Sequence, residues 1–287
     1  MAMPRQERAE LLSPQHIRDL ASRLGVSPTK AWGQNFVIDP NTVRRIVRIA
    51  DLQPSDHVIE VGPGLGSLTL GLLPSAATVT AVEIDGRLAR ALPDTVAAHS
   101  PRGIARLRVL HTDALRLDTS EDPQPTVLVA NLPYNVAVPV VLHLLARVPT
   151  LRSVLVMVQL EVAQRLAAPP GSKVYGVPSA KAAWYAQVTL AGKVGRTVFW
   201  PTPNVDSGLV AMVRRDPPAT QVSRSEVFAV VDAAFAKRRK TLRAALADWA
   251  GSPAAAEVAV RAAGVDPTLR GERLAIDEFA KIAAHRP

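Results

Sequence analysis

One stretch constrains the fold more than any other. From position 57 a short apolar strand, HVIEV, runs into GPGLG, then into a helix start, SLTLGLL, and then into a second strand, TVTAVEI. Gly62, Gly64 and Gly66 fall where the backbone turns tightly between strand and helix and lies against a ligand at the helix N-terminus. The alternation continues with a helical GRLARALPDTVAAH and apolar strands RLRVL (106–110), TVLVA (126–130) and SVLVMVQ (153–159), with a helix over 136–148. Strands of this kind, with helices between them, predict a doubly wound, mostly parallel α/β sheet covered on both faces.

The flanks read differently. Ser13 as a cap, Pro14 at the first helical position and Gly25 as terminator predict an N-terminal helix, and a second helix starts after Asp39 and Pro40. Residues 187–198 and 208–213 look like later antiparallel strands. DPPAT at 216–220 then breaks the pattern, and the remainder of the chain reads as three or four Ala-rich helices docked on the core. The expected organisation is 1–215 for the sheet domain with its helical extension and 216–287 for a smaller helical domain.

Composition narrows the setting. With 287 residues, no cysteine and no apolar run long enough for a membrane helix, the expectation is a soluble, cytoplasmic protein without disulfides, iron–sulfur ligation or a cysteine nucleophile. The net charge of +9 is uneven: 8 basic and 4 acidic residues lie in 1–50, 7 and 10 in 51–150, and 19 and 11 in 151–287. An acidic middle between basic flanks suits a catalytic core inside a frame that grips a polyanion.

The loop also discriminates between nucleotides. A dinucleotide fingerprint needs a third glycine where this chain has Ser67, and Pro63 stiffens the turn instead, so NAD is disfavoured. Glu83, at the end of the next strand, is suited to accept hydrogen bonds from two ribose hydroxyls, with Asp85 beside it as a helix cap. Asp113 comes after the next strand and is either a partner for an adenine amine or a cap. Together these positions describe an S-adenosylmethionine site better than an NAD site.

The ordered motifs GQNF (33–36), EVGPGLG (60–66), VEID (82–85), DAL (113–115) and NLPYN (131–135) resemble the ribosomal RNA adenine dimethyltransferases, and most closely the bacterial branch acting on 16S ribosomal RNA. EVAQRL (161–166), VFWPTPNVDS (198–207), AFAKRRKTLRAAL (234–246) and RGERL (270–274) extend the likeness. The resemblance implies a Rossmann-like methyltransferase sheet with a smaller all-helical C-terminal domain. It implies dimethylation of the exocyclic amines of two adjacent adenosines near the 3′ end of that RNA. It places Gln34, Asn35, Val37, Gly62, Gly64, Gly66, Glu83, Asp113, Ala114 and Asn131 around S-adenosylmethionine, and Asn131, Leu132, Pro133 and Tyr134 at the target adenine. Val37 stands where relatives often carry Leu, and Thr112 where they commonly carry Gly.

An adenine amine is a poor nucleophile because its lone pair is delocalised into the ring. The Asn131 side-chain carbonyl and the Leu132 backbone carbonyl accept hydrogen bonds from it, Pro133 stiffens the turn, and no metal is needed. Tyr134 stacks on the extruded base, and Phe199 is either the opposite face of that slot or a core residue. His111 and His143 are assigned to structure. Lys237, Arg238, Arg239, Lys240 and Arg243 are expected on one basic helix surface facing RNA phosphates, with Arg5, Arg8 and Lys30 extending it. The expected partner is 16S ribosomal RNA in an immature small subunit, with no membrane, bound by a monomer. The rivals are a large-subunit adenine methyltransferase of the macrolide-resistance type, a catalytically silent assembly factor, and a DNA adenine or protein amide methyltransferase.

Overall fold

The computed structural model describes residues 9–26, 35–118, 123–133 and 136–287. The chain divides into two compact units. One runs to Ala163 and takes in Thr189–Val213; the other comprises Gln164–Val188 and Arg214–Pro287. Among the described residues no helix is long and apolar enough to cross a membrane.

In chain order the elements are α1 (Pro14–Arg23), β1 (Phe36–Val37), α2 (Pro40–Ala50), β2 (His57–Val61), α3 (Ser67–Leu72), β3 (Thr78–Glu83), α4 (Gly86–His99), β4 (Leu107–His111), β5 (Val127–Asn131), α5 (Ala137–Arg147), β6 (Ser153–Gln159) and α6 (Leu160–Leu166). Then come α7 (Val177–Tyr185), β7 (Ala186–Val194), β8 (Phe199–Trp200), β9 (Ser207–Arg214), α8 (Arg224–Ala236), α9 (Leu242–Ala245), α10 (Ala247–Ala250), α11 (Pro253–Ala262) and α12 (Ile276–Ala283).

The seven-stranded sheet has the order β4-β3-β2-β5-β6-β9-β7. Strands β4 to β6 pair in parallel, and β9 runs antiparallel to β6, with Ser153 opposite Val213. The alternating pattern therefore folds as the sequence predicts. Val58, Ile59, Val79, Ala81, Leu128 and Val129 are buried, as a sheet covered on both faces requires. The order reverses between β2 and β5, and the carboxyl ends of those two strands flank the crevice where open α/β sheets take ligands.

The caps agree closely with the sequence. Ser13 Oγ accepts the His16 amide at 3.2 Å, and Asp39 accepts the amides of Asn41 and Thr42. Behind its cap, α2 buries Val43, Ile46 and Ala50. A short antiparallel pair of β1 and β8, with Val37 opposite Phe199, has no sequence counterpart.

The second unit is helical, built from α7 and α8–α12 together with the segment between α6 and α7. Tyr175 is buried within it and donates its hydroxyl to the Leu274 carbonyl at 2.8 Å.

The basic run is not on a helix surface. Helix α8 ends at Ala236, Lys237 leaves helical geometry (φ −119°, ψ 54°), and the Lys240 amide closes a turn onto the Lys237 carbonyl at 2.8 Å. Close packing flanks the turn: a Cβ at Gly271 would come within 2.9 Å of the Ala234 methyl in the last turn of α8, and Leu242, after the turn, is fully buried. The four cations thus share an exposed corner, with Arg243 next on α9.

Candidate active site

The three glycines after β2 all adopt left-handed φ, at +71°, +57° and +93°, which side-chain-bearing residues rarely tolerate. Space restricts Gly64 further: a Cβ there would lie 2.8 Å from the Phe36 ring. The loop is fastened to the neighbouring strand by Glu83, whose two carboxylate oxygens accept the Gly64 amide at 3.1 Å and the Asp85 amide at 2.9 Å. Glu83 is 5% exposed, and burial pushes its carboxyl above the ordinary range, with Asp85 adding like charge. Asp85 caps α4 through the Arg87 amide, as expected.

A cavity of about 500 Å³ opens at this end of the sheet, a size typical of small-ligand sites. It brings together Asn35, Val37, Gly62, Gly64, Glu83, Asp113, Ala114, Asn131, Leu132 and Pro133 from the sequence expectation. Asp113 caps the turn after it, accepting the Leu115 amide at 2.9 Å, while also lining the cavity. Gly66 is not a lining residue; it supplies the turn that starts α3. Gln34 and Tyr134 lie outside the described residues, as do Arg5, Arg8 and Lys30. Neither His111 nor His143 lines the cavity.

Phe199 is placed in the core. It is 1% exposed, does not line the cavity, and its backbone pairs with Val37. Its apolar neighbours in the sequence carried that signal. Phe36 lines the cavity instead, held by the β1–β8 pairing.

Asn131 closes β5 in the same crevice. Its Nδ2 donates to the Asn35 carbonyl at 3.0 Å, and because a carbonyl only accepts, this bond fixes which end of the amide is which. The Leu132 amide donates to the Met157 carbonyl at 3.0 Å, which sets the direction of the next peptide.

The sequence reading missed Glu60. This carboxyl is 1% exposed, lines the cavity, and accepts the Thr69 hydroxyl at 2.6 Å. Burial, with the negative charge of Glu83 adding to it, raises its pKa to about 8. An acidic residue inside an otherwise apolar strand, two positions before the glycine loop, was the available signal. The consequence for stability has a definite sign. Between the ordinary carboxylate value of 4.5 and about 8 the folded ligand-free protein keeps a proton that the unfolded chain has lost, so stability falls as pH rises through that window. The full effect is about 5 kcal/mol. Urea unfolding at pH 5 and pH 8 should show the decline, and Glu60→Gln should flatten it; a wild-type profile in that variant would remove Glu60 as the cause.

The cavity has acidic groups without basic partners. Glu83 and Asp113 line it together with Glu60, which keeps its proton up to about pH 8, and among the described lining residues there is no Lys, Arg or His. A phosphate-bearing dinucleotide would meet uncompensated negative charge here, whereas a cationic nucleoside such as S-adenosylmethionine finds it complementary.

Comparison with known proteins agrees with this chemistry. The family described as ribosomal RNA adenine dimethylase matches residues 27–285. A Thermobifida fusca protein named ribosomal RNA small subunit methyltransferase A is 68% identical over 279 residues, covering 97% of each chain. The protein of the same name from Streptomyces coelicolor is 65% identical, covering 96% of this chain and 97% of that one. Among solved structures, the 23S rRNA methyltransferase ErmE is 26% identical with a TM-score of 0.63, covering 88% of this chain and 99% of its own. A dimethyladenosine transferase from Plasmodium falciparum, at 24% identity and a TM-score of 0.71, shares the fold over 85% of this chain and 94% of its own. The two-thirds identity across nearly the whole length, on a fold and a cavity suited to a sulfonium nucleoside, makes this chain an S-adenosylmethionine-dependent enzyme that belongs to the ribosomal RNA adenine dimethylase family.

Proposed function

We propose that the cavity at the β2–β5 crevice holds S-adenosylmethionine and that Asn131 and Leu132 present the target adenine to it. The reaction itself is given by family membership: the enzyme dimethylates adjacent adenosines of 16S ribosomal RNA. The observation that carries the site assignment is the bond from Asn131 Nδ2 to the Asn35 carbonyl, which leaves Asn131 Oδ1 as the acceptor available to an amine.

S-Adenosylmethionine supplies a methyl group on positively charged sulfur, a good leaving group that asks little of a base. The protein's task is to prepare the nucleophile. Asn131 Oδ1 and the Leu132 carbonyl accept the two amine hydrogens, which draws the nitrogen lone pair out of conjugation and aims it at the methyl group. Pro133 limits the turn's freedom, so the acceptors keep their spacing. Gly62, Gly64 and Glu83 hold the nucleoside, with Glu83 offering its remaining lone pairs to the ribose, and Asp113 reaches the adenine amine. Tyr134 stacks on the target base. Phe199 joins it only if the residues covering it move aside.

The first unit carries this chemistry, and the second binds RNA. Lys237 pairs with Asp248 at 2.8 Å, Arg238 with Glu272 at 3.2 Å and Arg243 with Glu257 at 3.1 Å. Among the described residues Arg239 and Lys240 make no ion pair, which leaves them as the first candidates for phosphate contact. The natural substrate on this reading is an immature small subunit, met in the cytoplasm by a monomer.

The test is methyl incorporation from labelled S-adenosylmethionine into unmethylated small subunits, large subunits and DNA, with the modified bases mapped. Label confined to two adjacent adenosines near the 3′ end of 16S RNA is expected; label on 23S RNA or DNA would overturn the assignment. In the same assay the Arg239→Ala, Lys240→Ala double variant should bind RNA with a salt slope reduced by about 2. An unchanged slope would mean that this corner is merely solvated.

A further inference from the structure

Helix α4 starts beside Glu83 and, at 14 residues, ends about 20 Å away at His99, so its last turn lies well clear of the cavity. There His99 Nδ1 is buried and, among the described residues, has no hydrogen-bond partner, an expensive state for an imidazole nitrogen. The nearest carboxylate oxygen, Glu10 Oε2, stands 3.7 Å away, too far for a hydrogen bond. The His16 ring lies 5.1 Å from that of His99, tilted by 50°. One ligand atom from each of Glu10, His16 and His99 falls within 4.8 Å of the other two.

We propose that Glu10, His16 and His99 form a site for a divalent transition-metal ion of the zinc class, tying α1 to the end of α4. Two imidazoles and a carboxylate are a donor set that zinc favours. Donors on a tetrahedral zinc ion sit about 3.3–3.4 Å apart, so the 3.7 Å gap between His99 and Glu10 must close by a few tenths of an ångström, and the pairs with His16, which lie within 4.8 Å, by as much as about 1.5 Å. The donors are held by structure already made: the Glu10 amide donates to the His99 carbonyl at 3.0 Å, and His16 occupies the first turn of α1 behind the Ser13 cap.

Loading the ion has an identifiable cost. His16 Nδ1 receives the Ser13 amide at 3.4 Å, and that long contact is lost whichever ring nitrogen the ion takes, because a metal on Nε2 requires the proton on Nδ1. The bond from the His16 amide to Ser13 Oγ survives and keeps the cap. His16 and His99 line one open groove together with Asp19 and Arg23, which leaves room for water in a fourth position. The ion has a structural role on this reading and takes no part in methyl transfer.

Zinc chloride titrated into the full, chelator-treated chain, monitored by calorimetry, should bind one ion per chain. It should raise Tm by about 5 °C at a hundredfold excess over Kd. Cobalt in its place should give the strong visible absorption of a tetrahedral nitrogen and oxygen site. His16→Ala and His99→Ala should each weaken binding at least 100-fold, and Glu10→Gln, which keeps the side chain's shape, about 10-fold. S-Adenosylmethionine binding in each variant reports that the unit remains folded. No zinc binding up to millimolar concentration, or equal binding by a folded His16→Ala, His99→Ala double variant, overturns the site.

Discussion

Asn131→Ala is expected to reduce methyl transfer by about 10²–10³-fold, the loss typical of removing one oriented polar group that acts on the reacting atoms. The effect should fall on kcat, with S-adenosylmethionine affinity within a few-fold of the wild type and RNA binding unchanged, because on the proposed assignment the residue acts on the amine. The geometry also predicts how substitutions will rank. Asn131→Asp keeps an acceptor but loses the donor to the Asn35 carbonyl, and sets a carboxylate oxygen against that carbonyl instead. It should therefore be nearly as slow as the alanine variant despite its similar size. Single-turnover rates with saturating cofactor separate chemistry from binding. A rate close to wild type for Asn131→Ala would withdraw the acceptor role from this residue.

Glu83→Ala is expected to weaken S-adenosylmethionine binding by about 10²–10³-fold, for two reasons that reinforce each other. On the proposed assignment the side chain offers charged hydrogen-bond acceptors to the nucleoside, each worth about 1.5–3 kcal/mol. It also holds the Gly64 and Asp85 amides, so its loss releases the loop against which the nucleoside lies. The two contributions separate by ligand. Titration calorimetry with a 2′-deoxyribose analogue of the cofactor should show a much smaller difference between wild type and variant if the ribose contact dominates. A loss of equal size with both ligands would assign Glu83 to holding the loop alone.

Much of this site was legible before the structure, for reasons specific to the residues. The glycines were readable because their positive φ angles admit few alternatives, and Glu83 because a carboxylate at the next strand end has a defined reach. The strands were readable because a sheet buried on both faces leaves uninterrupted apolar runs such as SVLVMVQ, which forms β6 without a residue's difference. Ser13 and Asp39 are strong caps and marked their helices. What was lost depended on contacts distant in sequence. Phe36 lines the cavity only because β1 pairs with β8, more than 160 positions later, and two-residue strands leave no periodicity. Glu60 sits in a strand whose pattern is otherwise apolar, and its closeness to Glu83 arises only when β2 and β3 pair. The basic run continued a helical composition, and nothing local indicated that the chain would leave the helix after Ala236 and close a turn from Lys237 to Lys240. The segment around α7 contains PPGSKVYG, which reads as a loop, yet it buries Tyr175 and Trp184.

The bond between Asn131 and the Asn35 carbonyl reaches across 96 positions of sequence. It makes the reactive amide answerable to Asn35, next to β1, a strand held by that short pairing, by the Ile38 amide donating to the Val198 carbonyl at 2.8 Å and by the Ser67 hydroxyl donating to the Val37 carbonyl. Displacing this segment would let the amide swing, and a rotated amide would offer hydrogens where the adenine needs an oxygen. The reactive amide and the pocket wall are thus one structure: Asn35 lines the cavity, so displacing its backbone would disturb the nucleoside's seat and the acceptor together.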